Sequence, residues 1–302
     1  MLVSIKNLFF FIVLSIISIM YGQAVSTSFN NFTSSSHLTL GGSGYLHPSS
    51  TALKANPSSF KKYRQFETSF IKYPADIISQ SIGYGSIWRE GYLSFAFTHL
   101  SYGVFKGYDE NMVFTENYSS SSSRFSSTYA EKIKNYPIFL GSNISLVSTN
   151  LNIKSIYSIK LAIGSHLVIE KPKISLGFSL HEIDIFSNSG EEIKSTQLVL
   201  SSSKKLAYLP LTLYIDLLSP IGSNINEYFL GGVFKLKNKL SFSFGSSSRK
   251  ITQNINQTIL KTILGATGLG VSYDADSIIV QYGNYFYGTG SQAIGFSIEV
   301  KI

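Results

Sequence analysis

From about residue 65 onward, apolar and polar side chains alternate with a period of two. Leu93, Phe95 and Phe97 oppose Ser94, Ala96 and Thr98. Ile174, Leu176, Phe178 and Leu180 oppose Ser175, Gly177, Ser179 and His181. Leu240, Phe242 and Phe244 oppose Ser241, Ser243 and Gly245. The last stretch does the same, with Ile294, Phe296, Ile298, Val300 and Ile302 on one face and Gly295, Ser297, Glu299 and Lys301 on the other. This is the signature of β-strands with one apolar face. It predicts strands at 65–72, 78–88, 92–102, 125–134, 138–149, 156–168, 174–184, 196–206, 211–219, 227–237, 240–250, 263–273, 277–287 and 291–302. The count is about fourteen.

The connections carry a second pattern. Every other one is short, as at 89–91, 135–137, 170–173, 207–210, 238–239 and 274–276, whereas those between are mostly longer, as at 103–124, 185–195 and 251–262. Alternate connections of an up-and-down sheet lie at opposite ends, so one end is trimmed and the other is loopy, as in outer-membrane barrels. Strands of about ten residues also match the length that crosses a bilayer at a tilt. An even strand count leaves both termini on the same, periplasmic, side. The expected fold is all-β: a single transmembrane antiparallel up-and-down β-barrel over 61–302. A soluble sandwich alternates in the same way, so alternation alone does not separate the two.

Composition changes that balance. Charged residues make up 14% of the 302, against roughly 25% in soluble domains. The non-apolar face is mostly Ser, Gly, Thr and Ala, which suits a lumen better than a water-exposed surface. Aromatics gather near strand ends (Trp88, Tyr92, Tyr102, Tyr273, Tyr282, Tyr285, Phe286 and Tyr287), where an interfacial girdle would place them. Ahead of the strands, Lys6 precedes an apolar run from Leu8 to Met20, which reads as a signal peptide over 1–22. The 23–60 segment carries paired glycines and two prolines, reads as a periplasmic or plug segment, and has room for a short helix around Ser50–Lys54.

Chemistry is sparse. The chain has no cysteine, so it offers neither a disulfide framework nor a thiolate site. The formal charge is +8 without any Lys/Arg stripe, which gives no nucleic-acid partner. Zinc-protease, P-loop and serine-hydrolase motifs are absent. The G-x-G-x-x-A match from Gly288 to Ala293 precedes a strand, not a helix, and reads as a hairpin turn with no cofactor. His166 and His181 fall on strands expected to be neighbours and could approach each other; they read as polar lumen residues, with Glu299 and Lys301, rather than as metal ligands. Glu67, Asp216 and Lys160 also fall on expected inner faces, and no catalytic residue is assigned.

Several segments resemble one family. Leu40-Gly41-Gly42 followed by Asn56-Pro57-Ser58 is similar to the N-terminal signature of the PorV/PorQ family of outer-membrane barrels. The run from Tyr102 to Glu110 and the ending "VQYGNYFYGTGSQAIGFSIEVKI" are similar to further segments of that family, the latter closest to PorQ. The resemblance implies a fourteen-stranded barrel related to the long-chain fatty-acid transporter fold. It also implies a non-enzymatic role beside the type IX secretion machinery, with other proteins of its surface complex and outer-membrane lipid as partners. The family usually has acidic residues between the glycine pair and the Asn-Pro; here there are none. Three functions stay open: an interaction component of an export machine, a channel for hydrophobic small molecules plugged by 27–60, and a secreted soluble β protein.

Overall fold

A computed structural model gives the architecture. It describes residues 32–109, 111–151, 154–188, 196–222, 226–252, 264–287 and 290–302. The leader expected over 1–22 lies outside them. Fourteen antiparallel strands close into one barrel, each paired with its neighbours in sequence and the first with the last. They are β1 (Gln65–Lys72), β2 (Ile78–Trp88), β3 (Gly91–Tyr108), β4 (Phe114–Lys132), β5 (Ile138–Leu151), β6 (Lys154–Ile169), β7 (Ile174–Ser187), β8 (Gln197–Lys205), β9 (Leu211–Pro220), β10 (Glu227–Lys235), β11 (Leu240–Ser247), β12 (Thr267–Ala275), β13 (Ile278–Phe286) and β14 (Gln292–Lys301). Closure pairs Gln65 with Lys301 and Lys72 with Ile294, so no strand edge is left at the seam.

The alternation seen in the sequence becomes an inside and an outside. Ser69, Ser81, Thr98, Ser126, Ser179 and Ser297 are buried towards the axis. Phe70, Ile82, Phe97, Leu146, Ile215 and Phe296 are exposed on the outer wall. A water-soluble protein of this size would bury such side chains, since each is worth about 1.5–3 kcal/mol. An apolar belt around a polar interior is the pattern of a barrel in lipid. No helix among the described residues is long and apolar enough to cross a membrane.

Three expectations need correction. The long connection at 103–124 is mostly strand: β3 runs on to Tyr108 and β4 starts at Phe114. The Ser-rich run that hid it has no apolar period, and pairing with β3 supplies its order. With the longer β5, β6 and β7, much of what reads as loop at one end is therefore extended wall. No helix forms at 50–54, where the chain makes turns; α1 lies earlier, at Ser35–Thr39, and α2 follows β11 at Arg249–Thr252. Tyr92 and Tyr285 are not girdle residues. They are 4% and 3% exposed and face inward, because their strand positions carry inward parity. Trp88 and Tyr273 do lie on the outer surface.

Candidate functional site: the lumen and its plug

Residues 32–64 thread the lumen from end to end. Call the end holding Gln65 and Lys301 the lower end. Phe32 sits near the upper end, where its carbonyl accepts a hydrogen bond from Tyr73 OH at 2.6 Å and its ring packs on Tyr285. Leu38, Ile71, Leu100 and Ala293 complete an apolar cluster there. At the lower end Tyr63 OH donates to Glu299 Oε1 at 2.8 Å, and Lys61 pairs with the same carboxylate.

Between these ends the plug is held by polar contacts and by close backbone approach. Gly41 and Gly42 adopt φ of +64° and +92°, which only glycine takes without strain. The wall answers with its own glycines. A Cβ at Gly245 on β11 would lie 1.8 Å from the Leu40 carbonyl oxygen, and one at Gly41 would lie 2.5 Å from Gly245 C. Backbone therefore seats on backbone with nothing between. The Asn56-Pro57 pair docks in the same manner on the other side: a Cβ at Gly164 would lie 2.1 Å from Asn56 Oδ1, and one at Gly141 would lie 2.3 Å from the Pro57 carbonyl oxygen.

The hydrogen bonds follow the same logic. Asn56 Nδ2 donates to the carbonyls of Ser165 and Phe178 at 3.2 and 3.1 Å, while its Oδ1 accepts from Ser58 N–H at 3.0 Å. A fully buried amide is thus satisfied on both sides. Glu67, which the sequence places inward, has neutral donors of the plug as its hydrogen-bond partners. Ser50 N–H, Ser49 Oγ and Thr51 Oγ1 donate to it at 2.9, 2.8 and 2.8 Å. Asp216 accepts from Gly44 N–H at 2.7 Å. Neither carboxylate's role is visible from its strand alone, because each partner lies in the plug.

The other candidate residues fall as follows. His166 and His181 both face the lumen but do not meet: His166 lies across from Gly177 in the β6–β7 ladder and is 2.8 Å from Ser58 Oγ, whereas His181 bonds Ser179 Oγ at 2.8 Å. No group of three or more metal-ligating side chains occurs among the described residues. Glu299 holds the lower end of the plug, and Lys301 Nζ reaches Asp274 at 2.7 Å. Ile294, Phe296, Ile298, Val300 and Ile302 lie on the outer face.

A second polar group was not legible in the sequence. Arg124 of β4 forks onto Glu182 of β7 at 2.6 and 3.0 Å. Lys160 of β6 bridges Glu182 at 2.9 Å and Asp184 at 3.2 Å. A bulge sets this up, since the β6–β7 register shifts there and Glu182 takes a φ of +56°. Just below lies a cavity of about 40 Å³ between plug and wall, with Ser94, Ser126, Thr128 and Asn143 on its wall side and Leu53 and Phe60 on its plug side.

Above the rim, β3 and β4 continue without a further strand beside them among the described residues. β2 pairs with β3 only as far as Ser101, and β5 pairs with β4 only from Ser120. Beyond these points the two strands form a free hairpin reaching roughly 20 Å along the strand direction. Phe105 stacks on Tyr118 at 5.4 Å and Tyr108 meets Phe114 at 6.1 Å. Met112 at its tip is 83% exposed.

Comparison with known proteins bears on the fold. No protein-family model matches the chain, and no curated protein matches it. Among solved structures, a Pseudomonas aeruginosa FadL homologue is similar over 93% of this chain and 99% of its own, at 11% identity and a TM-score of 0.52. The P. putida toluene transporter TodX is similar over 89% of this chain and 98% of its own, at 11% identity and a TM-score of 0.56. The chain therefore has the fold of outer-membrane β-barrels.

Proposed function

We propose that the protein is a non-enzymatic outer-membrane barrel that works as an interaction component of a protein-export and surface-attachment machine, the role implied by its PorV/PorQ-like segments. The observation that carries this reading is the pairing of a filled lumen with a free aromatic hairpin. Among the described residues the plug is seated against wall glycines on both sides, and the cavity beside it, of about 40 Å³, is too small for a hydrocarbon chain. The hairpin offers Phe105, Tyr108, Phe114 and Met112 beyond the rim, where outer loops of such barrels face the cell exterior. Exposed apolar groups gathered in this way mark interaction sites. The type IX machinery is the partner system expected, with lipid around the belt and the lower end towards the periplasm. The test is co-purification from gently solubilised membranes. The protein is expected to elute with other surface-complex proteins, and Phe105→Ser/Phe114→Ser is expected to release them while leaving the barrel folded. Elution always alone sinks the reading.

A second reading is transport of hydrophobic small molecules. Its support is the shared fold with the FadL homologue and TodX, together with a chain segment inside the lumen. A deletion strain with reduced uptake of fatty acids or hydrocarbons would favour it; unchanged uptake rejects it.

A further inference from the structure

The plug does not meet the wall equally all round. On β10–β14 the inward positions that meet it include Gly231, Gly245, Gly268 and Gly283, each with plug atoms where a Cβ would stand. On β3 and β4 they include Ser94, Ser126 and Thr128, which face the plug across the cavity. That space is wide enough for roughly two or three waters, and polar enough to hold them. Its floor is Phe60, stacked on Tyr92 at 5.3 Å, beside the Lys61–Glu299 pair. Ser126 lines the cavity and Arg124 is the next inward residue of β4; Lys160 lies across from Ser145, which in turn pairs with Ser126. One step further up the strands, Arg124, Lys160, Glu182 and Asp184 are joined by ion pairs.

We propose that this seam between the plug and the β3–β6 wall is a gated path for water and small hydrated ions, and that the Arg124–Glu182–Lys160 network is its outer gate. The path needs no movement of the part of the plug that is docked on β10–β14. Opening needs only that the ion pairs above and the Phe60–Tyr92 stack below give way. The inference stands whether or not the barrel joins an export machine.

The test uses the purified full-length protein in planar bilayers in potassium chloride. The wild-type protein is expected to show brief, small conductance steps. Arg124→Gln/Glu182→Gln removes both charges of the fork together, so no unpaired charge is left by that pair. It is expected to raise the open fraction roughly tenfold, the shift given by losing a charged hydrogen-bonded pair. Because the chain has no cysteine, Asn143→Cys in that background places a single thiol in the seam. A charged thiosulfonate reagent is then expected to abolish the added conductance. Heat-modifiable migration confirms assembly of each variant. If the double variant fails to assemble, Glu182→Gln alone, which removes the carboxylate shared by Arg124 and Lys160, is read in the same way. No rise in conductance in an assembled variant, or a rise that thiol modification at 143 leaves untouched, overturns the proposal.

Discussion

The two sides of the barrel differ in how they are built. From β8 round to β1 the strands are short, 8 to 10 residues, and the wall there is notched by glycines into which the plug backbone fits. From β3 to β7 they are 14 to 19 residues long, carry bulges, and present hydroxyls and an ion network to the lumen. The short side holds the plug by close packing. The long side touches it tightly mainly at Asn56-Pro57 and otherwise faces it across a cavity. One wall thus anchors, and the other is free to carry a seam inside and a hairpin above. An occluding segment needs a rigid seat on one side only.

Substitutions on the two walls should break this comparison unequally. Gly245→Val is expected to have the largest effect. It drives a side chain into the Leu40 carbonyl and costs about 3 kcal/mol, the upper range for overpacking. The measurement is trypsin cleavage at Lys54 in the assembled barrel, which should accelerate; unchanged cleavage means that the plug is not seated there. Asn56→Ala comes next. It leaves the Ser165 and Phe178 carbonyls without their donor and should cost about 2 kcal/mol in thermal or denaturant unfolding in detergent. An unchanged midpoint would mean that the long wall does not hold the plug at all. At the closing seam, Ile302 lies outside and its N–H donates to the Arg64 carbonyl. Ile302→Phe is expected to assemble normally and Ile302→Asp to assemble less, at a cost of up to about 1 kcal/mol near the interface. Normal assembly of the Asp variant in outer membranes would remove the lipid-facing reading of β14. Ser126→Ala is expected to be smallest, below about 0.5 kcal/mol, because it borders the cavity and not the plug backbone. A larger loss there would show that the seam is packed.

How far the sequence could be read depended on locality. Glu67, Asp216, Glu299 and Lys160 were recognisable as inward from strand parity. The Gly41-Gly42 and Asn56-Pro57 pairs stood out as motifs. What each of them touches was not visible. Glu67 meets Ser49, Ser50 and Thr51 through a turn, and Asn56 meets Ser165 and Phe178 more than a hundred positions away. The hairpin of β3 and β4 was hidden for another reason: its serines have no apolar period, so only the partner strand reveals it. Tyr92 and Tyr285 misled because an aromatic near a strand end suits a girdle or a lumen equally, and one position of parity decides between them.

The sequence by itself determined the number and order of strands, which face of each is apolar, and hence a barrel with its oily side out. Those properties follow from a period of two, which most of the strands carry within their own residues. Tertiary structure alone decided that the plug runs the length of the lumen, that wall glycines receive its backbone, and that Arg124, Lys160 and Glu182 converge. These depend on closure and register, which bring strands far apart in the chain to within a few ångströms, and no local pattern encodes them.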